Sequence, residues 1–215
     1  MLTSYNNDLE NLTPKQALEI LMHGNERFTN GISKNKNLLS RVEETTQQQK
    51  PFAAILSCMD SRAPVEILFD QGIGDVFSVR IAGNIISENV LGSLEYAVAV
   101  TGSKLIMVMG HTNCGAVKGA VDEVKLGNLT ILLDKITPAV EEACTNNHNC
   151  KSSDPEFVDK VIRINIRNSV KTILDQSEII RNLVAEEKIM LVGAIYCVAN
   201  GTVELLQEEL VEVTL

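Results

Sequence analysis

The amino-acid sequence predicts an α/β fold: a mostly parallel sheet of about four strands with helices covering it, entered through an N-terminal helical arm. Three observations carry that prediction. Short runs that are apolar at nearly every position recur along the chain. Helical patterns lie between them, and neither a repeat nor a Gly/Ser/Pro-rich linker divides the 215 residues. A strand apolar on both sides is buried on both sides, as in a parallel sheet, whereas a half-exposed antiparallel strand alternates. Alternation of strand and helix supplies the covering layers. Residues 1–50 form the arm and residues 51–215 the α/β core, within a single domain overall.

Each element has a local signal. From Thr13 to Phe28, Leu18, Leu21 and Met22 recur at helical spacing, with Thr13 as N-cap and Pro14 at the first helical position. Residues 30–50 are polar and read as irregular. Pro51 introduces the first strand, Phe52 to Ser57, and similar runs follow at Val76–Val79, Leu105–Met109 and Ile189–Ile195. Helical patterns occupy Val65–Asp70, Glu88–Val100, Ala116–Lys125 and a long span from Glu156 to Ala185. On that long helix Val158, Ile162, Ile166, Val170 and Leu174 make one stripe, which Ile164, Ile173 and Ile180 widen. So wide a stripe fits burial on two sides within one chain or a subunit interface. The need of the N-terminal helix for an apolar partner favours an oligomer.

Composition excludes several classes. The net charge of −9 repels phosphates, which argues against a nucleic acid or anionic membrane as partner. The longest apolar run, Ile189 to Ala199, falls well short of the ~20 residues that span a bilayer. The polar first residues carry no secretory pattern, so a cytoplasmic location is expected. Five cysteines, an odd number in a chain with ample apolar residues, do not read as a disulfide scaffold. In a reducing compartment they are free to serve as ligands or nucleophiles.

Parallel sheets place function at the carboxyl ends of their strands. Beyond Ser57 comes Cys58-Met59-Asp60-Ser61-Arg62-Ala63-Pro64, where i, i+2 alternation puts Cys58, Asp60 and Arg62 on one side of a strand exit. Beyond Met109 comes Gly110-His111-Thr112-Asn113-Cys114-Gly115, whose glycines permit a tight turn bringing His111 and Cys114 onto one ion. Two thiolates and an imidazole leave one corner of a tetrahedron open, the pattern of a catalytic rather than a structural zinc site, with other metals left open by the residues alone. Arg62 lies too close behind Cys58 for a phosphatase loop, and neither a redox C-x-x-C nor a four-cysteine ribbon occurs.

Cys58-x-Asp60-x-Arg62 with His111-x-x-Cys114 resembles the β-class carbonic anhydrases. So do Gly24-Asn25-x-Arg27-Phe28, Phe69-Asp70-Gln71-Gly72-x-Gly74-Asp75, Val79-Arg80-x-Ala82-Gly83-Asn84, Gly92-Ser93-Leu94-Glu95-Tyr96 and Gly193-Ala194-x-Tyr196, a likeness running from about Thr13 to about Leu205. Ile81, Asn113 and the segment Tyr196–Gly201 depart from common family patterns without removing a ligand. With no Trp in the chain, a tryptophan-built regulatory bicarbonate site found in some bacterial members cannot form in that way.

The resemblance implies one Zn²⁺ per chain on Cys58, His111 and Cys114. It implies reversible hydration of carbon dioxide to bicarbonate and a proton by attack of zinc-bound hydroxide. Asp60 would accept the hydrogen of that hydroxide, and Arg62 would hold Asp60. In some members this Asp swings onto the metal in an inactive form, so Asp60 is also a conditional ligand. Two thiolates cancel the charge of the ion, so its water should be less acidic than the ~7 of an all-histidine site, with activity rising into alkaline pH. A homodimer or homotetramer acting on a small molecule, with no nucleic acid or membrane partner, completes the expectation. Alternatives are hydrolysis of carbonyl sulfide or carbon disulfide on the same ligands, or a non-catalytic zinc protein closed by Cys58, Asp60, His111 and Cys114. Neither His23 nor His148 has a placed role in proton transfer. Cys144, Cys150 and Cys197 read as structural or incidental, since the Cys144–Cys150 pair around His148 lacks a fourth ligand for a second metal.

Overall fold

The computed structural model describes residues 11–34, 36–144 and 150–206. Helix α1 (Pro14–Thr29) starts where the sequence placed it: the Thr13 hydroxyl accepts the Gln16 N–H at 3.3 Å, and the Gln16 side chain accepts the Thr13 N–H at 2.9 Å. Ala17 and Leu21 on its inner face are fully buried. The following stretch is not irregular throughout. Asn37 caps a short helix α2 (Leu38–Thr45) by accepting the Ser40 N–H at 3.1 Å, and Arg41 on it donates to Asp75 at 2.6 Å. A cap and two ion pairs of Arg41, with Asp75 and with Glu44, order a segment whose apolar residues Leu38, Leu39 and Val42 stay exposed.

The sheet has the order β2-β1-β3-β4-β5, built from β1 (Ala53–Ser57), β2 (Val76–Arg80), β3 (Leu105–His111), β4 (Met190–Tyr196) and β5 (Val203–Leu205). The first four strands run parallel as expected, and β5 adds an antiparallel edge beside β4. At three residues β5 is too short to show a periodicity. Every residue of β1 and β3 is buried. Ala54, Leu56, Ile106 and Val108 face one apolar cluster, while Ala53, Ile55, Leu105 and Met107 face the other. Two-sided burial is why these runs carry no polar alternation.

One face of the sheet is covered by α1 and α3 (Val65–Leu68). The other is covered by α4 (Glu88–Glu95), α5 (Gly115–Val121), α6 (Gly127–Leu133), α7 (Thr137–Ala143), α8 (Pro155–Gln176) and α9 (Glu178–Ala185). The 88–100 pattern ends in a π-turn at Tyr96–Val100. The single helix expected over 156–185 is broken at Ser177, which adopts an extended backbone and caps α9 by accepting the Ile180 N–H at 3.2 Å. Apolar periodicity continues through such a break, so the pattern alone could not reveal it. The wide stripe is explained within the chain: Val158, Ile162, Ile164, Ile166, Val170, Ile173 and Ile180 are all buried in one cluster. Gly110 makes this packing possible, since a Cβ there would sit 2.7 Å from Ile166 Cδ1 of α8.

From β1 the chain moves to β2 on one side, then crosses to β3 on the other. The sheet order reverses between β1 and β3, whose carboxyl ends adjoin, the place where parallel sheets put their sites. Register pairs Ser57 with Met109, so Cys58 leaves the sheet beside Gly110, one residue before His111.

Candidate metal centre

Cys58, the first residue past β1, has a buried sulfur that accepts the Gly83 N–H at 3.4 Å. Gly83 belongs to a short 3-10 turn, Ala82–Asn84, and has φ +66°; a Cβ there would lie 2.6 Å from Ile136 Cδ1. Glycine is therefore required twice over, by the backbone angle and by the close approach. Asn165 of α8, itself buried, holds the turn by donating to the Gly83 carbonyl at 2.9 Å.

His111 ends β3, and Cys114 precedes the first residue of α5, where the N–H groups of Ala116 and Val117 point toward its sulfur. The tight turn between them depends on Asn113, at φ +58°, rather than on the flanking glycines. Asparagine is among the few side chains that tolerate this left-handed conformation. Gly110 is instead needed for packing, and a side chain at Gly115 would meet open space.

These residues converge. The ligand atoms of Cys58, His111 and Cys114 all lie within 4.8 Å of one another, and the two sulfurs are 4.0 Å apart. Tetrahedral zinc with Zn–S of ~2.3 Å sets two thiolates about 3.8 Å apart, so the spacing fits. His111 Nδ1 lies 3.0 Å from the Thr112 carbonyl. A carbonyl only accepts, so Nδ1 carries the proton and Nε2 presents its lone pair. Nε2 is buried and has no hydrogen-bond partner, a costly state that a metal ion relieves. The sulfurs share one proton easily but not two charges. The Cys114 thiol lowers the pKa of Cys58 against the opposing effect of burial, and hydrogen bonding to Cys58 together with burial pushes Cys114 up. A divalent cation supplies the charge that lets both ionise. The donor set thus fits zinc.

Asp60 and Arg62 follow Cys58 on the segment leaving β1. Arg62 donates from Nε to Asp60 Oδ1 at 2.9 Å, from Nη2 to Oδ2 at 2.8 Å and from its backbone N–H to Oδ1 at 2.9 Å. The Arg62 side chain holds the Asp60 carboxyl well below the usual carboxylate range, with burial opposing. Asp60 Oδ2 is 3.8 Å from His111 Nε2. Alternation placed Cys58, Asp60 and Arg62 on one side; the structure buries Cys58 and folds Arg62, with its side chain 46% exposed, back onto Asp60.

Two residues at the site escaped individual notice in the sequence. Arg80 donates to the carbonyls of Cys58 and Asp60, and Gly83 donates to the Cys58 sulfur. Both lie in the segment Val79–Asn84, where an arginine closing a strand and a glycine following it were the available signals. Cys144 and Cys150 form a disulfide, the structural of the two readings, and it corrects the expectation that the cysteines are all free: the pair links the end of α7 to the segment leading into α8. Cys197 is free and half-buried, and His148 lies outside the described residues.

A family model described as carbonic anhydrase matches residues 53–203. A carbonic anhydrase of Mycolicibacterium smegmatis is 36% identical over 203 residues, covering 92% of this chain and 95% of that protein. Carbonic anhydrase 2 of Mycobacterium tuberculosis is 34% identical over 194 residues, covering 90% and 93%. Among solved structures, a tetrameric β-carbonic anhydrase of Sordaria macrospora aligns with a TM-score of 0.67 at 25% identity, covering 78% of this chain and 90% of that one. The β-carbonic anhydrase of Coccomyxa shares the fold, with a TM-score of 0.70 at 24% identity and coverage of 88% and 86%.

Proposed function

This chain belongs to the β-class carbonic anhydrase family, whose general reaction is hydration of carbon dioxide, and from that premise we propose that it performs this reaction with zinc on Cys58, His111 and Cys114. The observation that carries the reading is the buried, unpartnered Nε2 of His111 facing two sulfurs 4.0 Å apart, beside a carboxylate clamped by arginine. Zinc held there supplies a Lewis acid that makes water nucleophilic at accessible pH.

The chain's own residues do the rest. Asp60, kept ionised by Arg62, can only accept hydrogen bonds. It takes one from the attacking oxygen and so directs that oxygen's lone pair at the substrate carbon. Arg62 fixes both carboxylate oxygens in a bidentate pair through Nε and Nη2. With the carboxylate turned to Arg62, Asp60 is poised as an acceptor rather than as a fourth ligand, which favours an active resting site over a permanently closed one. One O–H bond of the attacking water breaks and its proton leaves to buffer, while the oxygen bonds to carbon and a carbonyl π-pair moves onto oxygen, giving bicarbonate.

The protein is further proposed to work as a homodimer or homotetramer. The outer edge of β2 has no strand partner among the described residues, and Tyr96 and Val100 beside the sheet are exposed. No helix among the described residues is long and apolar enough to cross a membrane. A cytoplasmic location is part of the proposal, and Cys144–Cys150 gives it a test. The disulfide bond between them counts against a reducing compartment, which would keep the pair as thiols, so thiol trapping that finds it fully oxidised in cells would overturn that location. For the function itself, the test is metal content with stopped-flow hydration at two pH values, alongside carbonyl sulfide and carbon disulfide as substrates. One zinc per chain and hydration that is faster at the higher pH are expected. Preferential turnover of a sulfur substrate, or bound zinc with no hydration, would defeat the proposal.

A further inference from the structure

The segment that carries Cys58 and Asp60 leaves the sheet and must find new partners for its backbone. At Ser57 the strand is still tied conventionally, its carbonyl accepting the Ile81 N–H at 3.1 Å. Beyond that, one side chain takes over. Arg80 Nε donates to the Cys58 carbonyl at 3.2 Å, and Arg80 Nη2 donates to the Asp60 carbonyl at 2.5 Å. Arg80 closes β2 in register with Ser57, so the sheet itself fixes the root of this side chain.

We propose that Arg80 is a positioning residue for carbon dioxide hydration: its guanidinium locks the carbonyls on either side of Met59 and thereby sets the Cys58 sulfur and the Asp60 carboxylate relative to each other. The proposal rests on the reading of the site given above. A planar guanidinium has several donors in a fixed fork and remains charged at any working pH, so it can hold two carbonyls at a set separation. Arg62 is turned elsewhere: its Nε and Nη2 donate to the Asp60 carboxylate and Nη2 also, at 3.4 Å, to the Asn113 carbonyl. The two arginines thus have separate roles, since one orients the carboxylate and the other fixes the backbone from which it springs. The Ala63 N–H also reaches the Asp60 carbonyl, at 3.0 Å, and this local turn bond remains without Arg80. What only the guanidinium provides is the tie between that carbonyl and Cys58.

The test compares Arg80→Ala and Arg80→Lys with the zinc-loaded parent protein. For Arg80→Ala, kcat should fall about 10–100-fold and zinc affinity, read by chelator competition, should weaken by about the same factor, as for loss of other outer partners of metal ligands. KM should stay within about twofold, because Arg80 touches no substrate. The thiolate-to-metal absorption of the cobalt-substituted protein should shift. Arg80→Lys should recover only part of each loss, since an ammonium is a point donor that cannot span two carbonyls in a fixed plane. Added guanidinium at millimolar concentration should restore turnover to Arg80→Ala. Parent-like kcat, zinc affinity and cobalt spectrum in Arg80→Ala overturn the proposal, as does a loss confined to KM. If Arg80→Ala does not fold, Arg80→Lys decides: lower kcat at unchanged KM supports the proposal, and parent-like constants overturn it. A parent protein that neither binds zinc nor hydrates carbon dioxide overturns the reading of the site, a result separable from either outcome with the variants.

Discussion

The turn His111–Cys114 and the exit Cys58–Arg62 each deliver one sulfur to the same point, but they are held there by different means. His111 is the last residue of a central strand, paired with Tyr196 of β4, and the Thr112 N–H continues that pairing by donating to the Tyr196 carbonyl at 2.9 Å. Cys114 is fixed by the helix that begins right after it. Beyond Cys58, by contrast, the chain is held largely by side chains: Arg80 on two carbonyls, Arg62 on Asp60. Main-chain bonds survive substitution of the residues that make them, and side-chain clamps do not. The first half should therefore behave as a rigid platform, and the second should be the half that single substitutions tune.

The largest effects ignore this distinction. Cys58→Ala and Cys114→Ala each remove a proposed ligand, and both should lose stoichiometric zinc and about a thousandfold or more of the activity, checked by metal analysis and stopped-flow hydration. A variant of either kind that retained one zinc per chain would break the assignment of the centre. Asp60→Ala should separate binding from turnover: zinc stays, and kcat falls by about two orders of magnitude, the range of a positioned proton acceptor. Loss of the metal together with turnover would make Asp60 a structural strut instead.

Acidity sharpens the contrast further. Arg62 lowers the Asp60 pKa, so the carboxylate is ionised at every pH above its already acidic unfolded value and contributes no inflection near neutrality. Any rise of kcat between about pH 6 and about pH 9 then belongs to the nucleophile, and Asp60→Asn should lower the plateau while leaving the midpoint in place. A flat parent profile over that window, or a midpoint that moves with Asp60→Asn, would contradict this division of roles.

The two halves were also unequally legible in the sequence. The proposed ligands stood out because Cys58, His111 and Cys114 fall at the ends of two apolar strand-length runs, and parallel sheets bring such ends together. The capped start of α1 and the four parallel strands were legible for a similar reason, since capping residues and two-sided burial leave direct marks on residue type. Arg80 carried no comparable mark: an arginine at a strand end is ordinary, and only the register of β2 on β1 sets it over the carbonyls of the neighbouring exit. The turn at Asn113 was misassigned to glycines because the sequence offers two of them and left-handed asparagine is less frequent. The break at Ser177 was hidden because the apolar stripe runs through it unchanged, and β5 because three residues carry no period.

The smallest expected effect is the most discriminating test of the rigid half. The Thr112 hydroxyl accepts the Val198 N–H at 3.1 Å, one of the side-chain ties on that turn beside Lys118 on the Asn113 side chain and Arg62 on the Asn113 carbonyl, while its own N–H keeps the backbone bond to Tyr196. Thr112→Val preserves shape and leaves the half-buried Val198 N–H without its acceptor, which should cost about 1 kcal/mol of stability. The effect on kcat should stay within about threefold, because the backbone bond, the carbonyl that fixes the His111 tautomer and the helix behind Cys114 are untouched. Thermal unfolding and stopped-flow hydration of this one variant measure both quantities. If Thr112→Val instead matched Asp60→Ala in lost turnover, the His111–Cys114 turn would depend on its side chains as much as the Cys58–Arg62 exit does. The contrast between the halves would then have no mechanical basis.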